Sequence, residues 1–179
     1  TNGKGKNYKF VLSEDIKVLN DGNVTGETFG QDVGSKGDVD SEGFVLDGNG
    51  HTIDFASDKF DYPTIEDGKE KSNTTTLKTG VFGKVVGDII NLKVANIIIS
   101  SIDTNKKDYA LFGALAGEIA GDINNITVDG VLINSGSKNI GGAVGGVVGY
   151  LTGNATAIDS LVNIENSKAG VFIGGVVGY

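Results

Sequence analysis

A glycine motif that recurs four times in the second half of the chain is the feature that most constrains the fold. It reads apolar-Gly-x-apolar-apolar-Gly, and a clear copy is VGGVVGY at residues 144–150. The copies are marked by the glycine pairs Gly83 and Gly87, Gly113 and Gly117, Gly145 and Gly149, and Gly174 and Gly178. Their closing glycines are separated by 30, 32 and 29 residues. A period of this size is typical of repeat proteins, whose units bury apolar side chains against their neighbours.

A second apolar pattern follows each glycine motif. It comprises Ile89, Leu92, Val94, Ile97 and Ile99 in the first copy, and Ile123, Ile126, Val128, Val131 and Ile133 in the second. In the third copy Ile158 and Leu161 occupy the first two of these positions, and Asn163 replaces the valine. β-Branched residues and glycine dominate, which disfavours helix and favours strands. The pattern predicts an all-β fold, a parallel β-solenoid with about three short strands in each repeat of roughly 30 residues.

The sequence predicts a single solenoid domain over residues 1–179, in three parts. Residues 1–55 form an N-terminal coil or coils, because short alternating apolar runs end in turn residues. Residues 56–79 are polar, contain the only proline and fit no period, so we expect a protruding insertion. Residues 80–179 hold the repeats. Because the chain stops inside a glycine motif, we expect a further coil or a cap to follow in a longer protein.

Charge and composition exclude several functions. The formal net charge is −8 and every basic residue is a lysine, so no basic stripe is present to neutralise nucleic-acid phosphates. Absence of cysteine excludes disulfides and thiolate catalysis. No apolar run reaches the ~18 residues of a spanning helix, so we expect no membrane insertion.

The order of the motifs resembles the GLUG-repeat region of bacterial surface proteins. The resemblance is carried by residues 8–16, 44–53, 80–83, 89–92 and 144–150. It implies a right-handed β-helix within a large secreted or cell-wall protein, commonly an adhesin, and similar repeats occur beside the catalytic domain of IgA1-cleaving metallopeptidases. The tryptophan-containing strand usual between the first two motifs is missing here. Repeats of this family carry no catalytic residues, so the resemblance implies none in this chain.

Two polar features invite a chemical interpretation. His51 is the only imidazole, and without a nucleophile motif nearby it is interpreted as the residue that opens a strand after a turn. Asp38, Asp40 and Glu42 alternate before a glycine, an arrangement that can place hard oxygens around Ca²⁺. The other interpretation is an acidic solvated loop, since Asn49 stands where a calcium loop would need its bidentate glutamate. No other cofactor is implied.

Four carboxylates of the repeats are candidates for the acid and the base of a glycan-cleaving enzyme. A spacing of 30 residues brings Asp88 and Glu118 nearly into one stack, with Asp122 and Asp129 nearby. The next copy has Tyr150 at that position and the chain has no arginine, so scattered exposed charge is the preferred explanation.

Successive side chains along the glycine motif should point to opposite faces of a strand. The face that carries a glycine, an aliphatic residue and a second glycine is predicted to point inward. The opposite face is also apolar, and a strand that is apolar on both faces is normally covered on both. This face predicts an interaction surface at Phe82, Phe112, Val148 and Tyr150, covered by the insertion, by another sheet or by a partner.

From these features we expect a non-enzymatic structural or adhesive module of a larger bacterial protein, located outside the cell or on its surface. Its partners would be neighbouring coils or domains of the same protein, and a host protein or glycan. One alternative is an accessory substrate-recognition region of a secreted protease or glycan-active enzyme, and a second is a carbohydrate-binding module.

Overall fold

The fold is all-β throughout the part of the chain that the computed structural model describes, which is residues 8–18, 44–55, 59–60, 77–99, 109–134, 141–165 and 171–179. No helix occurs among these residues, which confirms the predicted class. The strands are β1 (Tyr8–Val11), β2 (Ile16–Lys17), β3 (Phe44–Asp47), β4 (Thr52–Asp54), β5 (Lys59–Phe60), β6 (Leu77–Thr79), β7 (Phe82–Val86), β8 (Asp88–Ala95), β9 (Ile98–Ile99), β10 (Tyr109–Phe112), β11 (Ala116–Ala120), β12 (Ile123–Asn134), β13 (Gly141–Gly145), β14 (Val148–Thr152), β15 (Ala155–Glu165) and β16 (Val171–Gly174).

These strands form three sheets, and the strand pairs within the described ranges are parallel. One sheet has nine strands (β1–β5, β8, β9, β12 and β15), one has four (β6, β10, β13 and β16) and one has three (β7, β11 and β14). From β6 onward the chain visits the four-stranded, the three-stranded and the nine-stranded sheet in that order. We call each such round a pass. The same word is used for the two earlier segments of the chain, whose described strands all belong to the nine-stranded sheet. The first pass is β1–β2, the second β3–β5, the third β6–β9, the fourth β10–β12, the fifth β13–β15, and the sixth begins with β16.

The apolar pattern of the repeats stacks as predicted between the third and fourth passes. Ile89 pairs with Ile123 and Leu92 with Ile126, 34 residues apart. The fifth pass differs, because Ile158 pairs with Ile126 and Ala155 takes the place expected for Ile158. The predicted position of Leu161 is therefore wrong. Between Val128 and Val131 the register shifts, because β12 has one residue more than β15, and Leu161 is exposed to solvent.

The glycine motif is also in a different register from the one predicted for its first copy. Ala116 pairs with Phe82, which places Gly117 opposite Gly83 rather than Gly87. The stacked glycines are then 83, 117, 149 and 178, separated by 34, 32 and 29 residues. The corner glycines of this copy are Gly80 and Gly83, which correspond to Gly113 and Gly117. They are three residues apart rather than four, so the four-residue spacing of the motif selected Gly83 and Gly87 instead.

The motif forms a corner between two sheets rather than one straight strand. β10 ends at Phe112 and β11 begins at Ala116, so the inward-outward alternation does not continue through the bend. Phe112 is 1% exposed and Val148 is completely buried, and both belong to the hydrophobic core. The prediction that these two side chains form an outer surface is therefore wrong, because the protein's own sheets cover them.

Close approach of the backbone explains the glycines of this corner. A Cβ atom at Gly113 would lie 2.5 Å from the carbonyl oxygens of Ala116 and Val147. A Cβ at Gly149 would lie 2.6 Å from the backbone nitrogen of Phe112. Real Cβ atoms do not make such contacts, so only glycine fits without movement of the backbone.

Both ends of the predicted insertion belong to the sheets. Lys59 and Phe60 form β5, which pairs with β9, and Leu77–Thr79 forms β6, which pairs with β10. Residues 61–76 lie outside the described residues. No helix in the described part of the chain is long and apolar enough to cross a membrane.

Candidate functional site

A ladder of polar side chains links three passes where the three-stranded sheet leads into the nine-stranded sheet. The Oδ1 atom of Asp88 accepts a hydrogen bond from the backbone nitrogen of Asp122, at 2.8 Å. Asp122 in turn accepts from the backbone nitrogen of Asn154 at 2.8 Å and from its Nδ2 atom at 3.1 Å. Asp88 thus stacks with Asp122 and not with Glu118 as the 30-residue spacing had suggested. Two of the four carboxylates considered for catalysis hold successive passes together.

A second ladder is built from asparagines in the left-handed backbone region. Asn91 and Asn125 have φ of 53° and 54°, which asparagine adopts more readily than other non-glycine residues. Nδ2 of Asn125 donates to Oδ1 of Asn91 at 2.9 Å, and Nδ2 of Asn91 donates to Oδ1 of Asp47 at 3.0 Å. The fifth pass places Ala157, with φ of 53°, at the corresponding position. Sequence reasoning missed this ladder, although two asparagines 34 residues apart were a signal for it.

Asp47 ends this ladder and connects three passes. Among the described residues, Asp47 is the polar side chain that is buried. Its carboxylate accepts a hydrogen bond from Lys9 Nζ at 2.8 Å and another from the backbone nitrogen of Asn49 at 2.8 Å. Hydrogen bonds from Lys9, Asn91 and Asn49 lower the pKa of Asp47 to about 2. Its carboxylate is therefore ionised at neutral pH and serves as an acceptor.

Glu118 lies between two lysines on the outward side of the three-stranded sheet. Its carboxylate is 2.8 Å from Lys84 Nζ and 3.0 Å from Lys78 Nζ. Partial burial acts to raise the pKa of Glu118, but hydrogen bonds and charge from Lys84 and Lys78 outweigh it, and the net shift is downward. Asp129 has an ion pair of its own with Lys93, at 3.6 Å.

The outward column that contains Glu118 continues into an aromatic cluster. Tyr150 pairs with Glu118 in the neighbouring strand, and its ring stacks on that of Tyr179 with centroids 5.5 Å apart and planes at 16°. Phe172 packs against Tyr179 at 5.2 Å. Of the four residues predicted to form a surface, Tyr150 is half-buried in this cluster. Phe82 is half-buried and packs against the core.

His51 occupies the turn before β4, the kind of position that the sequence predicted. Its Nδ1 atom lies 3.2 Å from Oδ1 of Asp15, which also accepts from the backbone nitrogen of Thr52 at 2.8 Å. The Thr52 hydrogen bond is the main reason that the pKa of Asp15 is lowered, and His51 contributes further. Through these two contacts, Asp15 of the first pass binds to His51 and Thr52 of the second pass.

The candidate calcium ligands Asp38, Asp40 and Glu42 lie outside the described residues. Within the described ranges, no group of three or more histidines or carboxylates is arranged to hold a metal ion. Comparison with protein-family models, with curated proteins and with solved structures found no match to this chain.

Proposed function

We propose that this chain is a segment of a right-handed β-solenoid that serves as a non-enzymatic structural and adhesive module of a larger secreted or cell-surface bacterial protein. The resemblance to GLUG-repeat regions motivates the proposal. Its main structural support is the use of carboxylates and amides between passes. Asp88, Asp122 and Asn91 each bond to a neighbouring pass, so their polar atoms stabilise the stack.

The parallel sheets support the same role. Each complete pass adds a strand to every sheet, so the described core extends along one axis by about 4.8 Å per pass. Such a rod can hold a surface away from a cell while its core is held together by contacts between neighbouring passes.

Adhesion of coated beads tests the proposal. Inert beads carrying the full chain should bind to extracellular-matrix proteins or to host cells more strongly than beads carrying the chain with Gly145→Val, which should lose the folded corner. Beads carrying Gly175→Ala should bind like the wild type, because a Cβ at Gly175 meets nothing within 4 Å. Equal binding by all three kinds of bead would contradict the proposal.

A carbohydrate-binding module is a second candidate, and the aromatic cluster favours it. Tyr179 and Phe172 are 64% and 61% exposed, and their rings could stack on the apolar face of a sugar while the Tyr150 and Tyr179 hydroxyls accept or donate hydrogen bonds. A glycan array probed with the wild-type chain and with Tyr179→Ala distinguishes this candidate. It predicts binding that the substitution abolishes.

A further inference from the structure

We propose that Tyr150 and Tyr179 form an oxidative cross-linking site, at which a one-electron oxidant joins the fifth pass to the sixth through a bond between the two phenol rings. The site adds a covalent modification to this chain. It relies on two rings of the aromatic cluster and requires no adhesive partner, so it stands apart from the proposed function.

The composition of the chain directs oxidation to tyrosine. The sequence has no cysteine or methionine, whose sulfur atoms oxidants attack readily, and it has no tryptophan. It has five tyrosines, which are therefore the most readily oxidised side chains of this protein. Two of the five, Tyr150 and Tyr179, are in ring contact.

The backbone places these two tyrosines opposite each other. The backbone nitrogen of Tyr179 donates to the carbonyl oxygen of Gly149 at 3.0 Å, and the backbone nitrogen of Leu151 donates to the carbonyl oxygen of Tyr179 at 3.0 Å. These hydrogen bonds flank Tyr150, which is the pattern of two residues in register on neighbouring parallel strands. The two side chains therefore leave the same face of the stack, about 4.8 Å apart.

The rings are stacked and accessible from one side. Their centroids are 5.5 Å apart and their planes are at 16°. Phe172 packs against the Tyr179 ring at 5.2 Å and keeps it beside Tyr150. Tyr179 is 64% exposed, so an external oxidant reaches this ring, and its exposed side leaves room for the ring to slide until the carbons ortho to the two oxygens meet.

The reaction removes two hydrogen atoms in all. An oxidant of the peroxidase class takes one electron from Tyr179. Tyr150 replaces that electron across the stack and releases its proton to water, and a second oxidation of Tyr179 leaves a phenoxyl radical on each ring. The radicals combine in a carbon–carbon bond between the ortho carbons, and the hydrogen on each of these carbons moves to the oxygen of its ring, which restores both phenols. Hydrogen peroxide accepts the two electrons and two protons and becomes two molecules of water.

The bond would join passes that have little strand pairing in the three-stranded sheet. Among the described residues, this sheet continues from the fifth pass to the sixth by an isolated bridge between Val148 and Val177, whereas β11 and β14 pair from Ala116 to Ala120. A covalent bond between Tyr150 and Tyr179 therefore stabilises a junction that hydrogen bonds hold less extensively.

Oxidation of the full chain by a haem peroxidase with hydrogen peroxide, followed by tryptic mapping, tests the proposal. Trypsin cleaves after lysine, so Tyr150 lies in the peptide 139–168 and Tyr179 in the peptide 169–179, and each is the only tyrosine of its peptide. The wild-type chain should yield these peptides joined, two hydrogen atoms lighter than their sum and with dityrosine fluorescence. The yield in the monomeric fraction should not change on about tenfold dilution, because coupling within one molecule is independent of concentration.

Three substitutions of phenylalanine for tyrosine provide matched variants, because each removes one hydroxyl and retains the ring. Tyr150→Phe and Tyr179→Phe should each abolish the cross-link in the monomeric fraction. Tyr8→Phe removes a phenol from the first pass and should leave the yield unchanged. Circular dichroism spectra that match the wild type show that the variants are folded.

A wild-type chain that yields no joined peptide, or that forms dityrosine only between molecules, would overturn the proposal. Dityrosine fluorescence that persists in monomeric Tyr179→Phe would also overturn it, since another pair of tyrosines would then account for the signal. Phenylalanine retains the apolar ring face on which a sugar would stack, so Tyr179→Phe tests the cross-link separately from the glycan binding that Tyr179→Ala tests. Bead adhesion is measured without oxidant, so the adhesive role and the cross-linking site fail independently.

Discussion

The fourth and sixth passes contain the same glycine corner in two different environments. In the fourth pass, residues 112–117 are buried without exception, and Phe112 in front of the first glycine is 1% exposed. In the sixth pass Ile173 occupies the equivalent position and is 52% exposed. The two corners share the glycine pattern, and among the described strands β10 pairs on both edges, with β6 and β13, whereas β16 pairs with β13 alone.

This difference shows that a copy of the motif does not bury its own side chains. Burial in this molecule comes from stacking, so the stability of each pass depends on contacts with the passes next to it. Substitutions of the same type should therefore cost more in the central passes than at the ends.

The largest contrast is expected along the core column that contains Phe112 and Ile173. Phe112→Ala should lower the free energy of unfolding by about 3–5 kcal/mol, because it leaves a cavity between two sheets. Ile173→Ala should lower it by less than about 1.5 kcal/mol, because half of the side chain already contacts water. Urea denaturation followed by circular dichroism measures both, and equal losses would break the comparison.

The glycine corner should show the next largest contrast. A Cβ at Gly145 would overlap the carbonyl oxygen of Val148, so Gly145→Ala should cost about 3 kcal/mol. Gly174→Ala produces a similar overlap with Val177 but should cost less, because the end pass can shift or open locally. Gly175→Ala is the matched control and should change the free energy of unfolding by no more than about 0.5 kcal/mol. If Gly145→Ala matches this control, the corner is not as tightly packed as described.

The asparagine ladder should respond with opposite signs in the fourth and fifth passes. Asn125→Ala removes the bond to Asn91 and forces alanine to adopt a positive φ, which should cost about 1–2 kcal/mol. Ala157→Asn relieves the same strain and lets the new amide donate to Asn125, so it should gain about 1 kcal/mol. Thermal midpoints measure both, and a destabilising Ala157→Asn would show that the ladder ends at Asn125 for another reason.

The smallest expected effect is the contribution of Asp47 to the pH dependence of folding stability, where the first pass contacts the second. The folded-state pKa of Asp47 is about 2, below its ordinary 3.8, so its ionised form stabilises the fold above pH 3.8. This stabilisation is lost as the pH falls from about 4 to about 2. Asp47→Asn should reduce the pH dependence of the urea midpoint in that window, and Lys9→Gln should reduce it in part. An unchanged dependence in Asp47→Asn would assign the acid sensitivity to other carboxylates.

Much of the fold could be predicted from the sequence, because apolar residues 34 apart superpose directly in the third and fourth passes. What failed was the register of the corners. The first corner is one residue shorter than the others, and β12 has one residue more than β15, and neither change interrupts the apolar pattern enough to be visible. Alternation also assigned Phe112 and Val148 to a surface, since it assumes a straight strand and the chain bends between Phe112 and Ala116.

The candidate site could be predicted less well. The sequence shows that Asp88, Asp122 and Glu118 are acidic, but their partners depend on which residues stack, and a 30-residue spacing pairs Asp88 with Glu118 incorrectly. Hydrogen bonds between passes follow from the three-dimensional register, and an error of four residues in that register changes every partner.

The most direct test of the stacking is a disulfide cross-link, which the absence of natural cysteines makes unambiguous. The chain with both Glu118→Cys and Tyr150→Cys should oxidise rapidly to an intramolecular disulfide, because these residues are paired in neighbouring parallel strands. The chain with both Asp88→Cys and Glu118→Cys, 30 residues apart as the simple period suggests, should not. Peptide mapping under non-reducing conditions reads both results. Cross-linking of the second pair and not the first would contradict the described register and the stack built on it.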